Sequence, residues 1–255
     1  MASFPAVLQS EWTKIRSVRS TVWTLLLTFV ITLLVGGLAS LITKLNFNEF
    51  NEKATSTFDA TGTAFSGILL GELAIIVFGV LAIGNEYSSG MIRVSLAAVP
   101  QRGTLLVGKA AVLGALALVV SVATAFVTFF VGQALLGDHS TTIGSPGVLR
   151  AVCGAALYLT MLCLFSAGVT TMLHNQTLAL GVLVPFFFLL SPILSIVPWV
   201  RTGAHYFPDY AGSRMLLVYE QHDQPYGPWT GFFICLAWTA AAILGGILVL
   251  KKRDA

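Results

Sequence analysis

The stretch "VWTLLLTFVITLLVGGLASLI", Val22 to Ile42, contains no charged side chain. At about 1.5 Å of helix rise per residue, a window of this length matches the ~30 Å hydrocarbon core of a bilayer. A signal peptide is the competing reading, because basic residues precede the run and Leu38-Ala39-Ser40 loosely matches a cleavage site. The run is longer than the ~7 to 15 residues of a signal core, which favours an uncleaved first span. Five more windows share its character: Thr63 to Ile83, Leu105 to Val131, Val152 to Met172, Leu178 to Val197, and Trp229 to Leu250. Glu72 and Lys109 are the only charges within the six. Hydrophobic residues make up 56% of the chain and charged residues 10%, against the ~25% charged residues of a soluble domain. The sequence therefore predicts an all-α integral membrane protein, one transmembrane domain over residues 1–255 with six spanning helices. A net charge of +3 is too small to imply nucleic acid as a partner.

The basic residues orient the spans. With a cytosolic N-terminus, Lys14, Arg16, Arg19, Arg93, Arg102, Lys109, Lys251, Lys252 and Arg253 fall inside. Lys44, Lys53, Arg150, Arg201 and Arg214 fall outside. The positive-inside rule then puts both termini in the cytosol, which an even number of spans permits. Trp23 lies near the inner interface, and Trp199 and Trp229 near the outer one, where amphipathic rings are favoured. Cys153, Cys163 and Cys235 sit in apolar spans without metal-ligand spacing and read as small packing residues. His205 and His222 read as interfacial polar groups, since no third ligand has a compelling spacing.

Residues 5–20 precede the first span. On a helical projection Val7, Leu8, Trp12, Ile15, Val18 and Val22 form one stripe, blurred at its edges by Glu11 and Arg19. An apolar face bearing a Trp, flanked by Lys14, Arg16 and Arg19, predicts a helix lying in the inner interface. Between spans two and three runs "GNEYSSGMIRVSLAAVPQRG", Gly84 to Gly103. Ile92, Leu96 and Val99 recur at i, i+4 and i+7, and Pro100 ends any helix there. So short a helix is unstable alone, so its apolar face, flanked by Arg93 and Arg102, needs a partner surface. We expect a docking lever offered to a soluble partner.

"RGTLLVGKAA", Arg102 to Ala111, is one hydroxyl short of a phosphate-binding loop. Ala110 stands where Ser or Thr would hold magnesium, no strand precedes Gly103, and the segment continues into span three. This excludes a nucleotide site within the chain. Lys109 reads instead as a snorkelling cation, its stem along apolar neighbours and its ammonium at the cytosolic interface.

The order Asn85-Glu86-Tyr87, Gly90, Leu96-Ala97-Ala98-Val99-Pro100-Gln101-Arg102 and Gly108-Lys109-Ala110 resembles the coupling-helix region of ABC type 2 transporter permeases. "EWTKIRSVRSTVWTL" near the start, "YFPDYAGSRM" in the last outer loop and the terminal "KKRDA" agree with it, so the resemblance covers essentially the whole chain. It implies a permease, without its own ATPase, that dimerises with a second copy or a paralogue in a prokaryotic plasma (inner) membrane. It also implies a separate ATP-binding subunit. No cofactor belongs to this chain; ATP and magnesium belong to that partner. The coupling segment, residues 85–103, would include Glu86, Tyr87, Gly90, Ile92, Arg93, Leu96, Val99, Pro100 and Arg102. Without a large outer domain, the favoured cargo is a hydrophobic or amphipathic small molecule or peptide, exported from the cell.

Within the spans, Thr24, Thr28, Thr32, Gly36 and Ser40 form a four-residue-spaced ridge suited to close helix packing or to cargo lining. Glu72 lies near mid-membrane, where a bare carboxylate is costly. It either lines the transport pathway or is a neutral carboxyl tied to a hydroxyl ridge. Pro185 and Pro192 predict a bent fifth span, with Phe186, Phe187 and Phe188 between them as an apolar gate or as filling. Residues 198–228 form the longest outer loop, in which short interfacial helices are expected. Two alternatives remain open: an ion- or proton-coupled secondary transporter, and a nontransporting immunity or sensor protein on the same scaffold.

Overall fold

The computed structural model describes residues 4–17, 19–47, 58–99, 101–218 and 225–252. Its helices are α1 (Phe4–Ser17), α2 (Arg19–Asn46), α3 (Ala60–Ser88), α4 (Met91–Ala98), α5 (Arg102–Leu136), α6 (Val148–Leu173), α7 (Gln176–Ile196), α8 (Arg201–Ala204), α9 (Pro208–Ser213) and α10 (Pro228–Lys252). Six of them, α2, α3, α5, α6, α7 and α10, are long and apolar enough to cross a membrane. The fold is all-α, as the periodicity and composition predict.

Helix α6 is the centre of the bundle, with α3, α5 and α10 packed around it. Lipid supplies little hydrophobic drive between helices, so close contact depends on small side chains and on polar groups satisfied locally. The ridge on α2 does both. Thr28, Thr32 and Ser40 are fully buried, and each hydroxyl donates to a carbonyl one turn back, at 2.9, 2.7 and 2.8 Å. The ridge is thus an interface within the protomer. Gly71 of α3 sits so close that a Cβ there would lie 2.0 Å from Thr32 Oγ1.

Helices α1 and α4 lie at one end of the bundle, the α1 face. Arg102 at the start of α5 donates to the Leu250 carbonyl near the end of α10 at 2.6 Å, which brings the last helix to the same face. Helices α8 and α9 belong to the opposite face, between α7 and α10. Within α7, Pro185 ends the regular hydrogen-bonding ladder and residues Phe186–Leu190 form a π turn before Ser191–Ile196 resume the α-helix. Ala179, Leu183, Phe187 and Ser191 are the buried positions along this span.

Candidate coupling face and its buried charge cluster

Helix α3 ends at Ser88, and Gly90 reverses the chain with φ 70°, a left-handed conformation that suits a residue without Cβ. Helix α4 follows at once and stops before Pro100, which lies outside the described residues. The placement of its side chains corrects the sequence expectation. Ile92 is buried in a small cluster with Val7 of α1 and Leu105 of α5, and Leu96, Val99 and Tyr87 pack against it. The apolar face expected to meet a soluble partner is therefore covered by the chain's own helices. A short amphipathic helix finds the nearest apolar surface, and here α1 and α5 provide it. Met91, Arg93, Val94, Ala97 and Ala98 are left exposed, Val94 at 69%.

Beneath α4 lies the group of residues that carries most of the site. Lys109 Nζ is 2.7 Å from Glu11 Oε2 and 2.5 Å from Glu86 Oε1. Lys14 Nζ is 2.8 Å from Glu11 Oε1 and 3.1 Å from Glu86 Oε1, and it donates to Ser95 Oγ at 2.8 Å. Two acids and two bases thus join α1, α3, α4 and α5. Glu11, Glu86 and Lys109 are buried, at 2%, 6% and 3% exposure. Lys109 does not snorkel: its ammonium turns to two carboxylates instead of water, because α1 has brought Glu11 over it. A buried pair of this kind gains little net stability over an apolar substitute, but losing one partner costs about 3–5 kcal/mol. The Lys14 amine is pulled down by burial, yet the hydrogen bond to Glu11 and the charges of Glu86 and Glu11 hold it above the usual lysine range. A cavity of about 400 Å³ adjoins the cluster, lined by Lys14, Ser20, Asn85, Glu86 and Ser89 among others.

Sequence reasoning placed Glu86 in this region and missed Glu11 and Lys109 as its partners. The signal lay in the spacing: Val7, Glu11 and Ile15, at i, i+4 and i+8, are the buried positions of α1. An acid in the middle of such a stripe needs a cation from another helix. Trp12 is 48% exposed, so the predicted stripe divides, with Val7 and Ile15 facing protein and Trp12 facing outward. Val18 lies outside the described residues. The segment Arg102 to Ala111 is continuous helix, so it forms no phosphate loop.

Farther along α3, Glu72 is buried at 6% and accepts a hydrogen bond from the Tyr158 hydroxyl of α6 at 2.5 Å. The carboxyl is tied to a phenol of the central helix, not to the α2 ridge. Tyr158 is in turn covered from the opposite face by α9: a Cβ on Gly212 would fall 2.3 Å from its ring. Asp209 of α9 is buried and accepts from the Ser191 hydroxyl of α7, while the Tyr210 hydroxyl donates to Ser195 Oγ at 2.5 Å. Burial holds the Asp209 carboxyl above its usual range, with the Ser191 hydrogen bond opposing. Burial, with the nearby Arg214 and Arg201 charges, holds the His205 imidazole below its usual range. His222 lies outside the described residues.

The three phenylalanines do not act as one surface. Phe187 is buried with its ring edge-on to Phe165 at 5.9 Å, Phe186 is half-buried against Phe207 at 5.3 Å, and Phe188 is 39% exposed. Their different neighbours follow from the helical turn between them.

A family model described as ABC-2 family transporter protein matches residues 7–191. The match begins in α1, ends in α7, and contains all four charged residues of the cluster. None of the curated proteins compared with the chain matches it.

Proposed function

From the premise that this chain belongs to the ABC-2 transporter family, we propose that it is the membrane permease subunit of an exporter driven by ATP hydrolysed in a separate subunit. One observation carries the reading: α4 is fastened to α1, α3 and α5 on one face and leaves Met91, Arg93, Val94 and Ala97 open on the other. A rigidly held helix with a free face can transmit a displacement, where a flexible loop would absorb it. Partner subunits closing on ATP and magnesium would push α4, and the Lys14–Ser95 and Glu86–Lys109 contacts would pass the movement to α1, α3 and α5. The spans would then exchange between states facing in and out, each stabilised by its own contacts. On this reading α4 and both termini face the cytosol of a prokaryotic cell, and the central pathway runs between two permease copies or paralogues. The cargo class is a hydrophobic or amphipathic small molecule or peptide, consistent with the apolar interior.

The test is a tagged purification in mild detergent, with mass spectrometry of copurifying proteins and ATPase assay of the eluate. Wild type is compared with an Arg93→Glu, Val94→Asp double variant, altered only on the open face of α4. The expected result is a soluble ATPase that copurifies with wild type and is lost from a folded variant. Equal ATPase recovery with both proteins would overturn the assignment of this face. Intact wild type without an ATPase under several conditions would overturn the exporter reading.

A further inference from the structure

On the outer side of α1, an apolar groove of about 420 Å³ runs between α2 and α5. Ile15 forms its end wall, and Val22, Leu25 and Phe29 face Leu116 and Ala123 across it. Seven residues separate Val22 from Phe29 and Leu116 from Ala123, about 10 Å of axial length on each side. That is a large part of one leaflet's share of a ~30 Å hydrocarbon core. At the α1 end the groove changes character. Arg16 and Trp12 line it there, both exposed, and no carboxylate among the described residues lies within salt-bridge distance of Arg16. Arg19, exposed at the start of α2, adds a second positive charge.

We propose that this groove binds an anionic phospholipid, one acyl chain lying between α2 and α5 and the phosphate held by the Arg16 guanidinium. The pattern of an apolar trough ending in a cation and an interfacial Trp fits a molecule with a hydrocarbon tail and an anionic head. A second copy of the chain fits it poorly. Isologous docking brings the same basic patch from both subunits into one interface. None of the groove's described lining residues is acidic, so that charge would have no counterpart. The site also adjoins the charge cluster. Ile15 walls both the groove and the polar cavity beside Glu11, and Thr21 donates to the Ile15 carbonyl at 2.9 Å, fixing the corner between α1 and α2. A bound lipid would therefore brace α1 one turn from Glu11.

The experiment uses the full chain, stripped of lipid in detergent and supplied with equal amounts of phosphatidylglycerol and phosphatidylcholine, with retained lipid counted by native mass spectrometry. Wild type should favour phosphatidylglycerol about fivefold, the factor equivalent to the ~1 kcal/mol of one basic side chain at an anionic surface. Arg16→Gln should bring the ratio close to one. Ala123→Phe, which fills the trough, should lose both lipids, while Val127→Phe, outside the groove on the same helix, should match wild type. Phosphatidylglycerol should raise the melting temperature of wild type more than phosphatidylcholine does, and that of Arg16→Gln no more than phosphatidylcholine does. An unchanged lipid ratio in Arg16→Gln, or equal retention by Ala123→Phe and Val127→Phe, overturns the proposal. If Ala123→Phe dissociates a dimer in light scattering while lipid retention stays the same, the groove is an interface between copies and the proposal also falls.

Discussion

The cluster at the α1 face and the Glu72–Tyr158 pair deeper in the bundle both bury carboxyl groups, and they keep them by different means. Glu11 and Glu86 are each matched by lysines, so the set of four is formally neutral and held by ion pairs. Glu72 has a phenol, and Asp209 near it has a serine hydroxyl. Ion pairs resist the loss of one member strongly, because the charge left behind has been removed from water. Hydroxyl-bound acids can change protonation without leaving a counterion stranded. The first arrangement fastens several helices to one another, and the second suits packing at depth.

Lys109→Met tests the first arrangement most severely. It leaves two buried carboxylates with only the half-exposed Lys14, and should cost about 3–5 kcal/mol in thermal or denaturant unfolding of the purified protein. The Lys109→Met, Glu86→Met double variant should recover much of that loss, since it removes a charge of each sign. If the single variant unfolds like wild type, the ion pairs do not hold this joint.

Tyr158→Phe removes the donor to Glu72 and should cost about 1–3 kcal/mol, the penalty for a buried acceptor without its partner. Glu72→Gln should be milder, because an amide oxygen can still accept from Tyr158. If Glu72→Gln instead alters the pH dependence of transport while leaving stability intact, Glu72 has a part in the pathway and its bond to Tyr158 is not its whole role.

Asp209 sharpens the comparison through pH. Its carboxyl is raised in the folded protein, so the folded state holds its proton more tightly than the unfolded state. Its contribution to stability is thus greatest below the usual carboxylate pKa and declines as pH rises through the folded value. Asp209→Asn should therefore become relatively more stable against wild type as pH increases from acid to neutral. A difference independent of pH in unfolding measurements would contradict the raised carboxyl. Lys14 has the same sign in a higher window: its raised amine contributes fully below the usual lysine pKa and loses that contribution only as alkaline pH passes the folded value.

The smallest effect on stability is expected at Val94. Val94→Asp alters an exposed side chain and should change unfolding by less than about 0.5 kcal/mol. The same change should abolish ATPase copurification if the open face of α4 meets that partner. Loss of stability with retained association would reverse the roles of its two faces.

Much of the architecture could be read from residues such as those of the first span. An apolar run of that length has one low-energy solution in lipid, since a helix satisfies its backbone hydrogen bonds internally. The α2 ridge was legible for a related reason: four-residue spacing of small and hydroxyl side chains places them on one helical face. Glu86 was legible through the family resemblance as part of the coupling segment between spans two and three. Its partners were not, because Glu11 and Lys109 lie 75 positions before it and 23 after it in sequence, and helical periodicity carries no record of contacts between helices. Ile92 and Leu96 show the same limit. Their periodicity marks an apolar face, and nothing local says whether that face meets its own chain or another.

Sequence alone therefore determined the class of the molecule: the spanning helices, the amphipathic α1 and α4, and the break in the fifth span at Pro185. These follow from hydropathy, helical period and backbone constraints, all of which act over a few turns. Tertiary structure decided that Lys109 turns inward, that α4 buries Ile92 and presents Val94, and that Glu72 meets Tyr158. Each is a choice among partners distant along the chain, settled by which helices pack side by side and by the high cost of leaving a buried charge or polar group unpaired.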